Sequence, residues 1–200
     1  MTAALAIPAA GVTGRPRDII VRMALSSTVF VVDVDLADAD RNVYETLSLR
    51  LARHPSESDE FLVARLLAYC LEHTEGIEFS RGLCDADEPP VAVRDLTGRL
   101  TTWIDVGTPS PERLHRAGKQ AARVAVYVHK DYRQWLPDLA KASIHRAAAL
   151  ALHAFDPRLI RALASRLDRR MSFALTVADG ELFIAFADGT LSGRMTRLEL

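Results

Sequence analysis

Two Asp-Gly pairs, Asp179-Gly180 and Asp188-Gly189, stand between apolar-rich runs near the C-terminal end of the chain. Asp-Gly suits two-residue turns in which both central residues need a positive φ, and it is the strongest short-range hairpin signal. Residues 171–178, 181–187 and 191–200 therefore read as three strands of an antiparallel meander. A chain that finishes this way must be built on a sheet.

Upstream, strand and helix patterns alternate. Val29, Phe30, Val31, Val32 and Val34 predict a strand over 26–36. Residues 46–51 alternate polar and apolar, so the two segments read as a hairpin. His54-Pro55-Ser56-Glu57 opens a helix that Ser56 can cap, and an apolar stripe from Phe61 carries it to about His73. Short strands follow at 77–83, 91–95 and 99–106, the last two joined at Thr97-Gly98. A helix over 109–122, a strand over 124–129, a helix over 131–141, a strand over 147–155 and a helix over 157–167 precede the meander. This order predicts a mixed α/β fold with helices covering one large, largely antiparallel sheet.

Residues 1–22 show no periodicity and read as a disordered N-terminal extension, leaving 23–200 as a single domain. They hold Arg15, Arg17 and Arg22 against Asp18, so the remainder is more acidic than the formal net charge of -1 for the whole chain. That balance argues against tight, sequence-indifferent nucleic-acid binding, though a local basic strip remains open. The two cysteines, Cys70 and Cys84, are too few for a disulfide framework and lack zinc-ligand spacing. A cytoplasmic protein with no membrane span is the expectation.

Carboxylates gather around the 91–106 hairpin. If Thr97-Gly98 is a two-residue turn, Leu96 faces Arg99, Pro90 faces Asp105 and Glu88 faces Gly107. Opposed residues share a face, so Glu88 and Asp105 lie on one side and Asp87 points away. Clustered carboxylates raise one another's pKa unless a cation neutralises them. Mg²⁺, with Mn²⁺ as a substitute, suits such a donor set beside phosphate oxygens. The bland reading of Asp85, Asp87 and Glu88 is a solvated acidic loop.

Three blocks carry a resemblance: Arg53-His54-Pro55-Ser56-Glu57; Arg81-Gly82-Leu83-Cys84-Asp85-Ala86-Asp87-Glu88-Pro89; and Trp103-Ile104-Asp105-Val106-Gly107. On these the chain from Met23 to Leu200 resembles the YaeQ family of bacterial proteins and, more distantly, the PD-(D/E)xK restriction-endonuclease-like superfamily. The resemblance implies a nuclease-like core followed by the C-terminal meander. It also implies that Glu57 (or Glu60), Asp87 or Glu88, and Asp105 hold a metal ion. The superfamily's lysine would stand two residues after Asp105, where this chain has Gly107. Either activity is lost or a cation comes from elsewhere; the following helix offers Arg113, Arg116 and Lys119, with Lys119 or Arg116 expected to assist catalysis.

Among six histidines none pairs at metal-ligand spacing. His54 either holds the helix entry or meets a phosphate. Arg53 and Arg81 either bind phosphate or neutralise Glu57 and Asp87. Two functions follow: a Mg²⁺-dependent phosphodiesterase acting on DNA or RNA, or a non-catalytic module of the same fold binding nucleic acid or a protein.

Overall fold

The computed structural model describes residues 28–80 and 88–200. The expected extension over 1–22 and the acidic loop with Arg81, Asp85 and Asp87 lie outside the described residues. The elements are β1 (Thr28–Asp38), β2 (Val43–Arg53), α1 (Asp59–Leu71), β3 (Ile77–Phe79), β4 (Val91–Arg94), β5 (Leu100–Val106), α2 (Pro111–Gln120), β6 (Arg123–Val128), α3 (Trp135–Lys141), β7 (Leu150–Phe155), α4 (Pro157–Ala164), β8 (Arg170–Ala178), β9 (Glu181–Phe186) and β10 (Gly189–Leu198). The expected mixed α/β order is present.

All ten strands form one sheet, in the order β2-β1-β8-β9-β10-β7-β6-β5-β4-β3. Neighbours are antiparallel except β1 with β8, β5 with β6 and β6 with β7. Strand β10 belongs to both halves. Its Gly189–Arg194 stretch pairs with β9, and from Met195 onward it pairs with β7. The sheet turns at this change of partner, and Gly193 lets α4 approach. A Cβ there would sit 2.8 Å from the Leu159 Cβ and 3.2 Å from the Asp156 Cβ.

Local chemistry accounts for the turns. Asp179 and Gly180 have φ of 53° and 73°, so this pair makes the expected hairpin turn between Ala178 and Glu181. The second turn lies one residue earlier than expected, because Gly189 already pairs with Phe186. At the third hairpin the Asp95 amide donates to the Arg99 carbonyl at 3.0 Å, and Gly98 takes a φ of 82°. Three residues, 96–98, therefore form the loop. A register shift between Val93 and Arg94 compensates, so Val91 still faces Ile104 and Ala92 faces Trp103. The register at Val91 and Ile104 is thus the one the two-residue turn predicted.

Helix α1 is buried nearly throughout and packs with α4 inside the concave side of the sheet. Leu62, Leu66 and Leu67 meet Val32, Leu49, Ile104, Val106 and Ile160 in one core. A second core lies on the other face, where α2 and α3 cover Trp103, Val124, Val126 and Leu152. Helix α3 starts later than expected because the Asp131 carboxylate accepts the Arg133 amide, closing a turn before Trp135. Among the described residues no helix is long and apolar enough to cross a membrane.

Replacing Gly193 by alanine should press the new methyl against the Leu159 Cβ and push α4 off β10. The expected loss is roughly 1–3 kcal/mol, as for other overpacked sites, read as a lower urea midpoint at unchanged slope.

Candidate functional site

Asp105 is the fixed point of the candidate site. It ends β5 on the α2 side of the sheet and is only 3% exposed. The Trp103 indole N–H donates to its Oδ2 at 3.1 Å, and the Val106 amide donates to Oδ1 at 3.2 Å. A fully buried indole needs such an acceptor. The third donor is Arg113, whose Nε lies 2.6 Å from Oδ2.

Arg113 is aimed by the start of α2. Ser110 caps the helix by accepting the Arg113 amide at 3.3 Å, and Pro111 occupies the first turn. From there the guanidinium lies over the Trp103 ring at 5.1 Å, and its Nη2 donates to the Glu88 carbonyl at 2.8 Å. Arg113 therefore ties Asp105 to the backbone of Glu88, whose residue is exposed.

Glu57 is elsewhere, and this corrects the expectation that it joins Asp105. Its carboxylate is buried against Arg65 of α1, with Oε1 3.0 Å from Nε and Oε2 3.1 Å from Nη2. The His54 amide also donates to Oε2, at 3.1 Å. Arg65 in turn donates to the Ala52 carbonyl at 2.8 Å and lies 5.5 Å from the Phe79 ring centre. Burial raises the Glu57 pKa and lowers that of Arg65, while each charge opposes the shift of the other. Ile104 and Val106 belong to the α1-side core and Trp103 to the α2-side core. The sheet therefore separates Glu57 from Asp105.

The neighbours of Glu57 serve the helix start. Arg53 donates to the Glu57 carbonyl at 3.0 Å and pairs with Asp59 at 2.6 Å. The His54 Nδ1 meets the Ser56 hydroxyl at 2.6 Å. Ser58, rather than the expected Ser56, caps α1 by accepting the Phe61 amide. Arg53 and His54 are therefore placed as helix-entry residues. Arg81 and Asp87 lie outside the described residues.

Gly107 has a φ of 88°, and its amide donates to the Tyr127 carbonyl at 2.9 Å. A lysine here would be held in a conformation that L-residues avoid. Arg116 and Lys119 are exposed farther along α2, and Arg113 is the cation that reaches Asp105. Among the described residues no group of three or more His, Cys, Asp or Glu is placed to hold a metal ion. With Asp105 engaged by Arg113 and Glu57 across the sheet, the described donors do not fit a Mg²⁺ site.

Sequence reasoning missed Arg65 entirely and favoured the wrong cations on α2. Arg65 had a signal: a lone charge inside an otherwise apolar helical run must find a buried partner. Arg113 had a weaker one, as the first cation of the helix that directly follows Asp105.

A family model described as "YaeQ protein" matches residues 23–195. The "Uncharacterized protein YaeQ" of Escherichia coli (strain K12) is 33% identical over 177 residues, covering 87% of this chain and 97% of that protein. The protein of the same name from Shigella flexneri matches with the same identity and coverage. The crystal structure of the YaeQ protein from Xanthomonas axonopodis pv. citri aligns with a TM-score of 0.80 at 33% identity, over 86% of this chain and 98% of that one. The YaeQ protein from Pseudomonas syringae aligns with a TM-score of 0.78 at 29% identity, over 86% and 96%.

Two outcomes follow from these contacts. Arg113→Ala strands a buried carboxylate and should cost about 2–4 kcal/mol, less than a fully enclosed pair because Arg113 is partly exposed. Adding Asp105→Asn should recover part of that loss, measured as a double-mutant cycle in urea. The second outcome concerns His129, whose pKa burial lowers to about 4, with Lys130 adding to the shift. The unfolded chain binds the same proton near the ordinary imidazole value, so it holds more protons within that window. Stability should therefore fall as pH drops from about 6.5 toward 4. His129→Gln should flatten that slope in pH-dependent thermal melts.

Proposed function

The chain belongs to the YaeQ family, and from that premise we propose that it is a nuclease-like module that binds nucleic acid without cutting it. The observation that carries this reading is the state of the carboxylates. Asp105 is held by Arg113, Trp103 and the Val106 amide, and Glu57 by Arg65 on the opposite side of the sheet. A hydrolytic metal centre needs such groups converged and available to the ion.

The order α1, β3, β4, β5, α2, β6 supports placing the core with the restriction-endonuclease-like folds, because it repeats the helix, three antiparallel strands, helix and strand of that plan. The exposed side of α2 supports the ligand class. Arg116 and Lys119 are spaced for two neighbouring phosphates along one strand of nucleic acid. With the chain otherwise acidic, binding rests on a few phosphate contacts, so it is weak and falls along a shallow slope as salt rises. A cytoplasmic setting suits this role, and the buried Cys70 thiol, its pKa pushed up to about 12, is consistent with a reducing compartment.

One observation favours a second reading, a Mg²⁺-dependent phosphodiesterase. At the open end of the β4–β5 hairpin, Arg113 bridges the Asp105 carboxylate and the Glu88 carbonyl. In that reading Asp87, Glu88 and Asp105 would hold Mg²⁺ or Mn²⁺, which would supply polarisation of a phosphoryl oxygen, and Arg113 would meet the phosphate.

Fluorescence anisotropy with labelled single-stranded DNA, duplex DNA and RNA at two salt concentrations tests the first reading. Binding should weaken with salt, and Arg116→Ala/Lys119→Ala should weaken it alike for all sequences. No product should form with Mg²⁺ or Mn²⁺. Metal-dependent cleavage that disappears in Asp105→Asn would establish the second reading instead, and absence of binding at low salt sinks the first.

A further inference from the structure

The segment 142–146, between α3 and β7, lies directly on α2. Gly118 permits this approach, since a Cβ there would sit 2.7 Å from the His145 carbonyl oxygen. Between the segment and the first turns of α2 is a cleft of about 300 Å³, lined by Pro111, Glu112, His115, Arg116, Ala142 and Ser143. That volume is at the lower end of small-molecule sites and suits one flat ring system.

His115 is held in place within this cleft. Its Nδ1 lies 3.2 Å from the Ser143 carbonyl oxygen, and its ring stands edge-on to His145 at 6.3 Å between centres. A carbonyl oxygen only accepts, so Nδ1 donates and Nε2 of the neutral ring is left as an acceptor. Glu112, one helical turn earlier, adds a carboxylate to the same lining. A fixed imidazole and a carboxylate together suit an aromatic ring that carries N–H donors.

The surrounding charge places that ring on a phosphate chain. Glu112, His115, Arg116 and Lys119 are spaced to lie on one face of α2. Lys141 and Arg146 are exposed at either end of the opposite wall. Four cations thus surround a cleft whose six lining residues include one acid, in a chain whose formal net charge is -1. Unpaired bases of a single strand splay out and settle against flat side chains such as histidine, whereas a duplex keeps its base edges paired.

We propose that this cleft takes one unpaired, amino-bearing base of single-stranded nucleic acid, while Arg116 and Lys119 meet the neighbouring phosphates. The inference rests on the nucleic-acid reading above and adds which form of nucleic acid the α2 face selects. Cytosine presents its N4 amino group as a donor, which a glutamate accepts. Thymine has an acceptor oxygen at the same place and meets the Glu112 carboxylate unfavourably.

Fluorescence anisotropy of the full chain near neutral pH, with labelled oligo-dC, oligo-dT and a duplex of equal length, tests this. Oligo-dC should bind about tenfold more tightly than either other probe, the worth of one hydrogen bond to a charged group. His115→Ala should bring oligo-dC down to the level of the duplex. Ser143→Trp, at an exposed position, should do the same by filling the cleft, and it carries the test if His115→Ala fails to fold. Oligo-dC binding no better than the duplex or oligo-dT, or an unchanged preference in either folded variant, overturns the cleft inference while nucleic-acid binding itself persists. Absence of binding to all three probes at low salt overturns the underlying reading and this inference with it.

Discussion

The ion pair between Glu57 and Arg65 holds the fold's ends together. Strands β2 and β3 are the two edges of the ten-stranded order, as far apart in the sheet as two strands can be. Arg65 reaches both, donating to the Ala52 carbonyl on β2 and lying against Phe79 on β3. The sheet must therefore curl around α1 until its edges meet one side chain. Such a charge survives burial only with a partner that satisfies it, and Glu57 supplies that partner from the turn that starts the helix. At the other end of α1, Arg41 in the β1–β2 turn donates to the Leu71 and His73 carbonyls. Glu72 is gripped by Arg123 and the Tyr127 hydroxyl of β6. Charged groups anchor both ends of an otherwise apolar helix.

That arrangement explains why Glu57 looks catalytic in sequence and structural in space. An acidic residue at the head of a helix, ahead of a three-stranded hairpin system, is the pattern of a nuclease. The pattern does not record which side of the sheet the carboxylate occupies. The deciding residue is Arg65, eight positions away within an apolar run, and only its burial shows what it pairs with. Asp105 is the opposite case. Its neighbours Trp103 and Val106 are local, its helix follows at once, and its facing partner comes from a hairpin whose register could be counted. The count held at Val91 and Ile104 because a register shift offset the extra loop residue.

The rest of the fold divides along the same line. The meander turn at Asp179-Gly180, the apolar length of α1 and the helix start at Ser110-Pro111 are set by neighbouring residues, so local patterns reveal them. The parallel pairing of β5, β6 and β7 joins segments separated by whole helices. It is fixed by burial on both faces, which leaves no alternation to read. For that reason His129 passes in sequence for one isolated histidine among six, although in space it sits at the carboxyl edge of three strands beside two helix starts.

The two faces of one sheet therefore carry separate chemistry. On the α1 side Glu57 and Arg65 cancel within the core. On the α2 side Arg113 occupies Asp105, which makes that carboxylate an orienting group for an arginine rather than a ready metal donor. The backbone supports the same division, because the positive φ at Gly107 disfavours any side chain two residues past the acid. A cation drawn from α2 arrives from the side, stacks on Trp103 and binds Asp105 directly.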